Sequence, residues 1–130
     1  MTYHLGNRSL LRLEGVHEDL VAVVKRAIEV TEVDFTVLEG LRTLDRQRSL
    51  LRKAVTTTLN SRHLTGHAVD LAAWVDNKVS WDWHYYHEIN AAMSVAAYEL
   101  GTNVQWGGNW KTFPDGPHFQ LPWRLYPKGK

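Results

Sequence analysis

The sequence predicts an α+β fold: a small antiparallel sheet packed with about three helices. Segments of helical and strand period are mixed along the chain, without the regular strand-helix alternation that builds a parallel sheet. At 130 residues with 44% hydrophobic side chains, the chain also has room for one compact domain with one core. We therefore expect one domain over residues 1–130.

From Val16 to Val30, the apolar residues Val16, Leu20, Val23, Val24, Ala27 and Ile28 recur three and four apart, the period of one helix face. Glu18 and Asp19 lie in the first turn of this helix and Lys25 and Arg26 near its end, complementing the helix dipole. Phe35-Thr36-Val37-Leu38 is short and β-branched and reads as a strand ending at Gly40. A second helix is expected from Thr43 to about Val55, burying Leu44, Leu51 and Ala54 and leaving Arg46, Arg48 and Arg52 in water. Thr56 to Ser61 is a polar connection, and Ala68 to Ala72 alternates like a strand. A third helix is expected from about Asp82 to Leu100, with Tyr86, Ile89, Met93, Ala97 and Leu100 inward and Gly101 ending it. Asn103 to Trp106 and His118 to Leu121 are two short strand candidates flanking a Gly/Pro-punctuated loop.

Composition narrows the chemistry. Fifteen basic and fourteen acidic residues leave a net charge of +1, too small to make nucleic acid or an anionic membrane the obvious partner without a local patch. The arginines of the second helix read as a solvated face. With no cysteine, thiolate nucleophiles and cysteine-based metal sites are excluded, so any metal falls to His, Asp or Glu. Residues Met1 to Arg8 contain no apolar stretch of signal-peptide length, and no run is long enough for a membrane span. The expectation is a chain made soluble that something else must export, with no stable membrane insertion.

Polar groups concentrate beside the strands in three segments: Ser61 to Asp70, Trp106 to Trp110, and Asp115 to Gln120. His63 and Asp70 are seven apart and would face opposite ways on one continuous strand. Thr65-Gly66 supplies the turn that lets them converge, and the following strand carries Ala68, Asp70 and Ala72 on one face. His118 shares a face with Gln120, while Phe119 and Leu121 point to the core. His118 can thus complete a site of two histidines and one carboxylate, the ligand set of hydrolytic zinc enzymes that keep a fourth position for water. Asp115, three residues before His118, can approach that metal edge without being a ligand. It suits a general base, because zinc lowers the pKa of its water to about 7 and a nearby carboxylate can take the proton and pass it to a leaving amine.

The pattern Ser-x-His-x-x-Gly-x-Ala-x-Asp at Ser61, His63, Gly66, Ala68 and Asp70, followed by Asp-x-x-His at Asp115 and His118, resembles a zinc peptidase family. That family includes D-alanyl-D-alanine carboxypeptidases and phage L-alanyl-D-glutamate endopeptidases. Small size, Gly40-Leu41-Arg42-Thr43 and the Trp-Gly-Gly-x-Trp segment at Trp106 to Trp110 resemble the endopeptidase branch, the endolysins. The similarity runs from about Val33 to Leu121.

The resemblance implies a fold of the Hedgehog/D-Ala-D-Ala peptidase kind, with Zn2+ held by His63, Asp70 and His118. It makes Asp115 the catalytic acid/base and has Arg42 and Ser61 contact the substrate or polarise its carbonyl. It further implies hydrolysis of the L-alanyl-D-glutamate bond of peptidoglycan, by a protein that waits in the host cytoplasm until the membrane is permeabilised. A monomer is expected. Arg42 also stands on its own chemistry, since a guanidinium at a strand-to-helix corner can hold a carboxylate or a developing oxyanion. The branch has aspartate where this chain has Asn109, which keeps the size and an acceptor oxygen but loses the charge. A carboxypeptidase of the same fold and a non-catalytic wall-binding module are the alternatives.

The other candidates read as structural. His67 is expected at the cleft edge or as a structural residue, His84 and His87 at a partly exposed helix start, and His4 and His17 on the surface. Most of the six tryptophans are expected to fill the core beneath the sheet, with Trp81, Trp83 and Trp123 as packing. Trp106 and Trp110 are expected to wall the substrate cleft. Pro127 to Lys130 reads as a frayed basic tail.

Overall fold

A computed structural model describes residues 2–53 and 61–127. Ala54 and Val55, most of the polar connection before Ser61, and the last three residues of the basic tail lie outside the described residues. In chain order the elements are α1 (Asn7–Arg12), α2 (Glu18–Val30), β1 (Phe35–Glu39), α3 (Leu44–Arg52), β2 (Ala68–Val75), β3 (Lys78–Ser80), α4 (Trp83–Leu100), β4 (Gln105–Trp106) and β5 (His118–Gln120). Short 3-10 turns occupy Arg62–Thr65 and Gly107–Asn109.

All strand pairs are antiparallel, in the order β1-β2-β5-β4, with β3 pairing the far end of β2. Alternation then sorts the side chains of β2. Val69, Leu71 and Ala73 enter the core with Phe35, Val37, Phe119 and Leu121, while Ala68, Asp70, Ala72 and Trp74 take the other face. Helices α2 and α4 pack on each other and close the core through Leu20, Val23, Val24 and Ala27 on one side and Ile89, Met93 and Ala96 on the other. The α+β architecture is the one expected. Among the described residues, no helix is long and apolar enough to cross a membrane.

Element by element, several expectations are corrected. Helix α2 starts at Glu18, where the His17 ring accepts the backbone N–H of Asp19 through Nδ1 at 3.0 Å. His17 is therefore a helix cap, its ring centroid 5.4 Å from that of His67, and not an ordinary surface residue. Helix α3 turns a different face inward: Gln47 and Leu50 are buried, whereas Leu44 and Leu51 are exposed. On α4, Leu100 is exposed while Ala92 and Ala96 join the core, and Gly101 ends the helix in the left-handed region at φ 67°. The expectation that most tryptophans fill the core is corrected: Trp74, Trp81, Trp83 and Trp123 are exposed, although Trp83 packs on Tyr86 and Trp106 and Trp123 packs under Arg62, and Trp106 alone of the six lies in the core.

Two elements were missed. Helix α1 lies along the free edge of β1, where Ser9 Oγ accepts from the Val37 N–H at 2.9 Å and Arg12 donates to the Val37 carbonyl at 3.0 Å. Both open backbone groups of Val37, midway along the edge strand, are thus satisfied by side chains. The β2-β3 hairpin turns at Asp76 and Asn77, both with positive φ, the conformation that two-residue hairpins require.

Candidate active site

His63 sits in the 3-10 turn just before β2. Ser61 Oγ accepts the His63 N–H at 3.2 Å and caps that turn, and Gly66 closes it at φ 76°. A side chain at Gly66 would meet the Gly15 carbonyl at 2.3 Å, so the motif's glycine is demanded both by conformation and by close approach. The turn reverses the chain between His63 and Asp70, as their odd spacing requires. Strand register does the rest: Asp70 of β2 lies directly opposite His118 of β5 and opposite Glu39 of β1.

The three side chains converge. Their ligand atoms all lie within 4.8 Å of one another, with both histidines buried and Asp70 half-buried. His63 donates Nδ1–H to the Gly40 carbonyl at 2.8 Å, which leaves a lone pair on Nε2 of the neutral ring. Gln120 Oε1 accepts from His118 Nε2 at 2.7 Å, which leaves the lone pair of that ring on Nδ1. Both bare nitrogens face one oxygen, Asp70 Oδ1, at 3.2 Å and 3.4 Å. Three converging acceptors repel one another unless a cation or extra protons sit among them, so the donor set fits a metal ion. Without one, the histidines must serve as donors. Burial alone would raise the Asp70 carboxyl, but hydrogen bonds from His118 and His63 outweigh it and hold the group well below the usual carboxylate range. Burial likewise disfavours a charged His118, yet Asp70 overcomes it and raises that imidazole.

Asp115 belongs to the same loop as His118, whose N–H donates to the Asp115 carbonyl at 3.2 Å. Its own N–H donates to the Gly107 carbonyl at 2.9 Å, which ties the loop to the Trp-Gly-Gly segment. Burial and then the charge of Asp70 push the Asp115 carboxyl up, against the opposing pull of His118, His63 and Arg42. It is thus a half-buried carboxyl in the field of the cluster without being one of its converging groups.

Arg42 approaches from below. Its guanidinium donates to Glu39 and, at 2.6 Å, to Gln47 Oε1, and one nitrogen lies 3.7 Å from Asp70 Oδ2. The side chain is only 9% exposed, so it is neither a surface arginine nor an open cation. This also explains the corrected face of α3, since Gln47 is drawn inward as a partner of Arg42.

Trp110 is exposed, with its ring 5.0 Å from that of His118, at the edge of the cluster. Trp106 does not wall the cleft: it is buried against Phe119, and its Nε1–H donates to the Gly116 carbonyl at 2.7 Å. It braces the Asp115 loop from inside. Asn109 is exposed in the 3-10 turn after Trp106. His67 is buried behind the site, its Nδ1 2.6 Å from Thr65 Oγ1.

Sequence reasoning did not single out three neighbours. Gln120, which orients His118, was signalled only by sharing its face. Glu39, which holds Arg42, carried no local signal. Tyr86, expected as core, is buried close enough to Asp115 and Asp70 to feel both charges; burial first and those carboxylates second push its hydroxyl up to about 12.

A profile of the phage L-alanyl-D-glutamate peptidase family matches residues 1–121. The chain belongs to this family. The L-alanyl-D-glutamate peptidase of Escherichia phage T5 is 29% identical over 119 residues, covering 88% of this chain and 87% of the phage protein. The peptidoglycan L-alanyl-D-glutamate endopeptidase CwlK of Bacillus subtilis is 27% identical, covering 82% of this chain and 75% of its own. The crystal structure of the Serratia marcescens L-Ala D-Glu endopeptidase ChiX superposes with a TM-score of 0.89 at 53% identity, covering 93% of this chain and 91% of that one. This family member thus shares fold and sequence with proteins named for one bond of the bacterial cell wall.

Proposed function

We propose that this chain is a zinc-dependent endopeptidase that hydrolyses the L-alanyl-D-glutamate bond of peptidoglycan stem peptides, residues 1–130 forming one peptidase domain. The observation that carries the reading is the convergence of two oriented imidazoles and one carboxylate on a single point, with Asp115 beside it. The choice of bond is supported by the names of the relatives. A set of two histidines and one aspartate supports zinc, which takes such ligands in hydrolytic sites with one position open.

In this reading His63 Nε2, His118 Nδ1 and Asp70 hold the ion. Bound there, zinc supplies a Lewis acid for the scissile carbonyl and brings the pKa of water to about 7. Asp115 accepts the proton of the attacking water as its oxygen adds to the alanyl carbonyl carbon. Asp115 then returns that proton to the D-glutamyl nitrogen as the C–N bond breaks. A carboxyl pushed up by burial suits both halves of the transfer, because it gives the proton back readily.

Arg42, Ser61, Trp106 and Trp110 were the expected substrate contacts, of which Trp106 is buried. Arg42 has most of its donors engaged, so we assign it to steadying Asp70 on the side away from the ion. Ser61 is assigned to setting the His63 turn, and Trp110 to walling the cleft beside His118. Acting as an endolysin, the protein would reach the wall after the membrane is opened. A stem peptide containing L-alanyl-D-glutamate tests the reading: zinc-reconstituted protein releases a new D-glutamyl amine, and the Asp115→Ala protein does not. Release of free D-alanine instead would assign the chain to carboxypeptidase chemistry, and zinc-dependent binding without turnover would make it a wall-binding module.

A further inference from the structure

The face of the sheet that carries Asp70 also carries Thr36 and Trp74, which line a groove of about 670 Å³ separate from the metal cluster. The ladder ranks along that face are Glu39 opposite Asp70, then Thr36 opposite Ala72, then Trp74 opposite Val79. Trp74 is four residues from Asp70 on the same face, about 13 Å along the strand. The indole is exposed and lines the groove together with Val79, Thr36, Asp34 and, from α1, Asn7 and Arg8. This is an exposed aromatic face rimmed by donors and acceptors of both charge signs.

The geometry points to a glycan subsite: the groove holds the N-acetylated amino sugar to which the stem peptide is joined, with its apolar C–H face on Trp74. The inference rests on the proposed peptidase reading, because in peptidoglycan L-alanine is the residue that links stem to sugar. From the scissile carbonyl to the sugar ring the chain runs through that alanine and a lactyl group, roughly 7 Å when extended. Adding half the width of a pyranose brings the ring toward Trp74. The volume suits a saccharide of one or two rings.

The lining is mixed in charge, with His4, Arg8 and Arg12 beside Asp34, and what favours a sugar is its aromatic face. Burial disfavours charge on the Asp34 carboxyl, whose oxygens can accept from sugar hydroxyls. Arg12 already donates to the Val37 carbonyl. Trp74 offers a flat apolar face with little conformational entropy to lose, which is what a pyranose needs.

The test compares two substrates: a free stem peptide and the same peptide joined to its disaccharide. For the unaltered protein, kcat/KM for the conjugate exceeds that for the free peptide by about tenfold or more, about 1.4 kcal/mol. Trp74→Ala and Asp34→Asn bring that ratio close to one, and Trp74→Phe keeps most of it. Peptide-free glycan chains shift the intrinsic tryptophan fluorescence of the unaltered protein in a saturable way that Trp74→Ala abolishes. A ratio that Trp74→Ala leaves intact overturns the inference, as does an equal loss on both substrates, which would place peptide in the groove. If neither substrate is cleaved, the peptidase reading fails, and the glycan titration still decides whether the groove binds sugar.

Discussion

His63 Nε2 stands 3.2 Å from Asp70 Oδ1 while its Nδ1–H is tied to the Gly40 carbonyl at 2.8 Å, so the ring can turn neither away from the carboxylate nor into another tautomer. His118 is held the same way by Gln120 on the opposite side of the same oxygen. The cluster is therefore set before any ion arrives, and the groups that set it can be tested separately from the ligands.

Gln120→Leu keeps the size of the side chain and removes the acceptor that orients His118. Zinc affinity should fall by about 10- to 100-fold, measured by competition with a chromogenic chelator, with the circular dichroism spectrum unchanged. Unaltered affinity would show that His118 is oriented by its neighbours in the strand alone.

Asp115→Asn leaves the converging ligands in place. Zinc affinity should stay within a few-fold of the unaltered protein while kcat falls about 100-fold or more, read by titration and by stem-peptide turnover. Loss of zinc and activity together would make Asp115 a ligand.

Arg42→Ala separates positioning from substrate binding. With its guanidinium facing Asp70 and engaged by Glu39 and Gln47, its loss should lower kcat and zinc affinity and leave KM nearly unchanged. A large rise in KM with kcat preserved would mean that Arg42 grips the substrate.

Tyr86 supplies a pH dependence. Its hydroxyl titrates near 10 in the unfolded chain and is pushed up to about 12 in the fold. Between these values the native state binds more protons than the unfolded one, so the stability contribution is complete below about pH 10 and is lost as pH rises toward 12. Tyr86→Phe should flatten that alkaline decline in urea midpoints measured from pH 9 to 12. An unchanged slope would place the titrating groups elsewhere.

The face of α3 gives a stability contrast. Leu50→Ala should cost roughly 2 kcal/mol or more, because Leu50 is buried. Leu44→Ala should stay within about 0.5 kcal/mol, because Leu44 is exposed. Chemical denaturation of both variants decides between the observed face and the one the apolar spacing suggested.

That face shows where the sequence stops being legible. Helix α2 was readable because its apolar residues alone decide its orientation, whereas α3 is turned by a polar pair, Arg42 and Gln47, which hydrophobic period cannot register. The ligand motif was readable because Gly66 and the odd spacing of His63 and Asp70 encode a turn within ten residues. Glu39 and Gln120 were not, since each acts through pairing across strands far apart in sequence. Asp76-Asn77 did carry a hairpin signal, overlooked because β3 is only three residues long. Helix α1 is a six-residue element whose role, covering an edge, leaves no period to find. The tryptophans misled because size suggests core, whereas most of them stand on the surface.

The most direct test of the central claim is mass spectrometry of the fragments released from purified peptidoglycan, with chelator and with zinc restored. The account predicts fragments with new N-terminal D-glutamate that disappear on chelation and return with zinc. Fragments that persist after complete chelation, or release of D-alanine in place of a new D-glutamyl end, would contradict it.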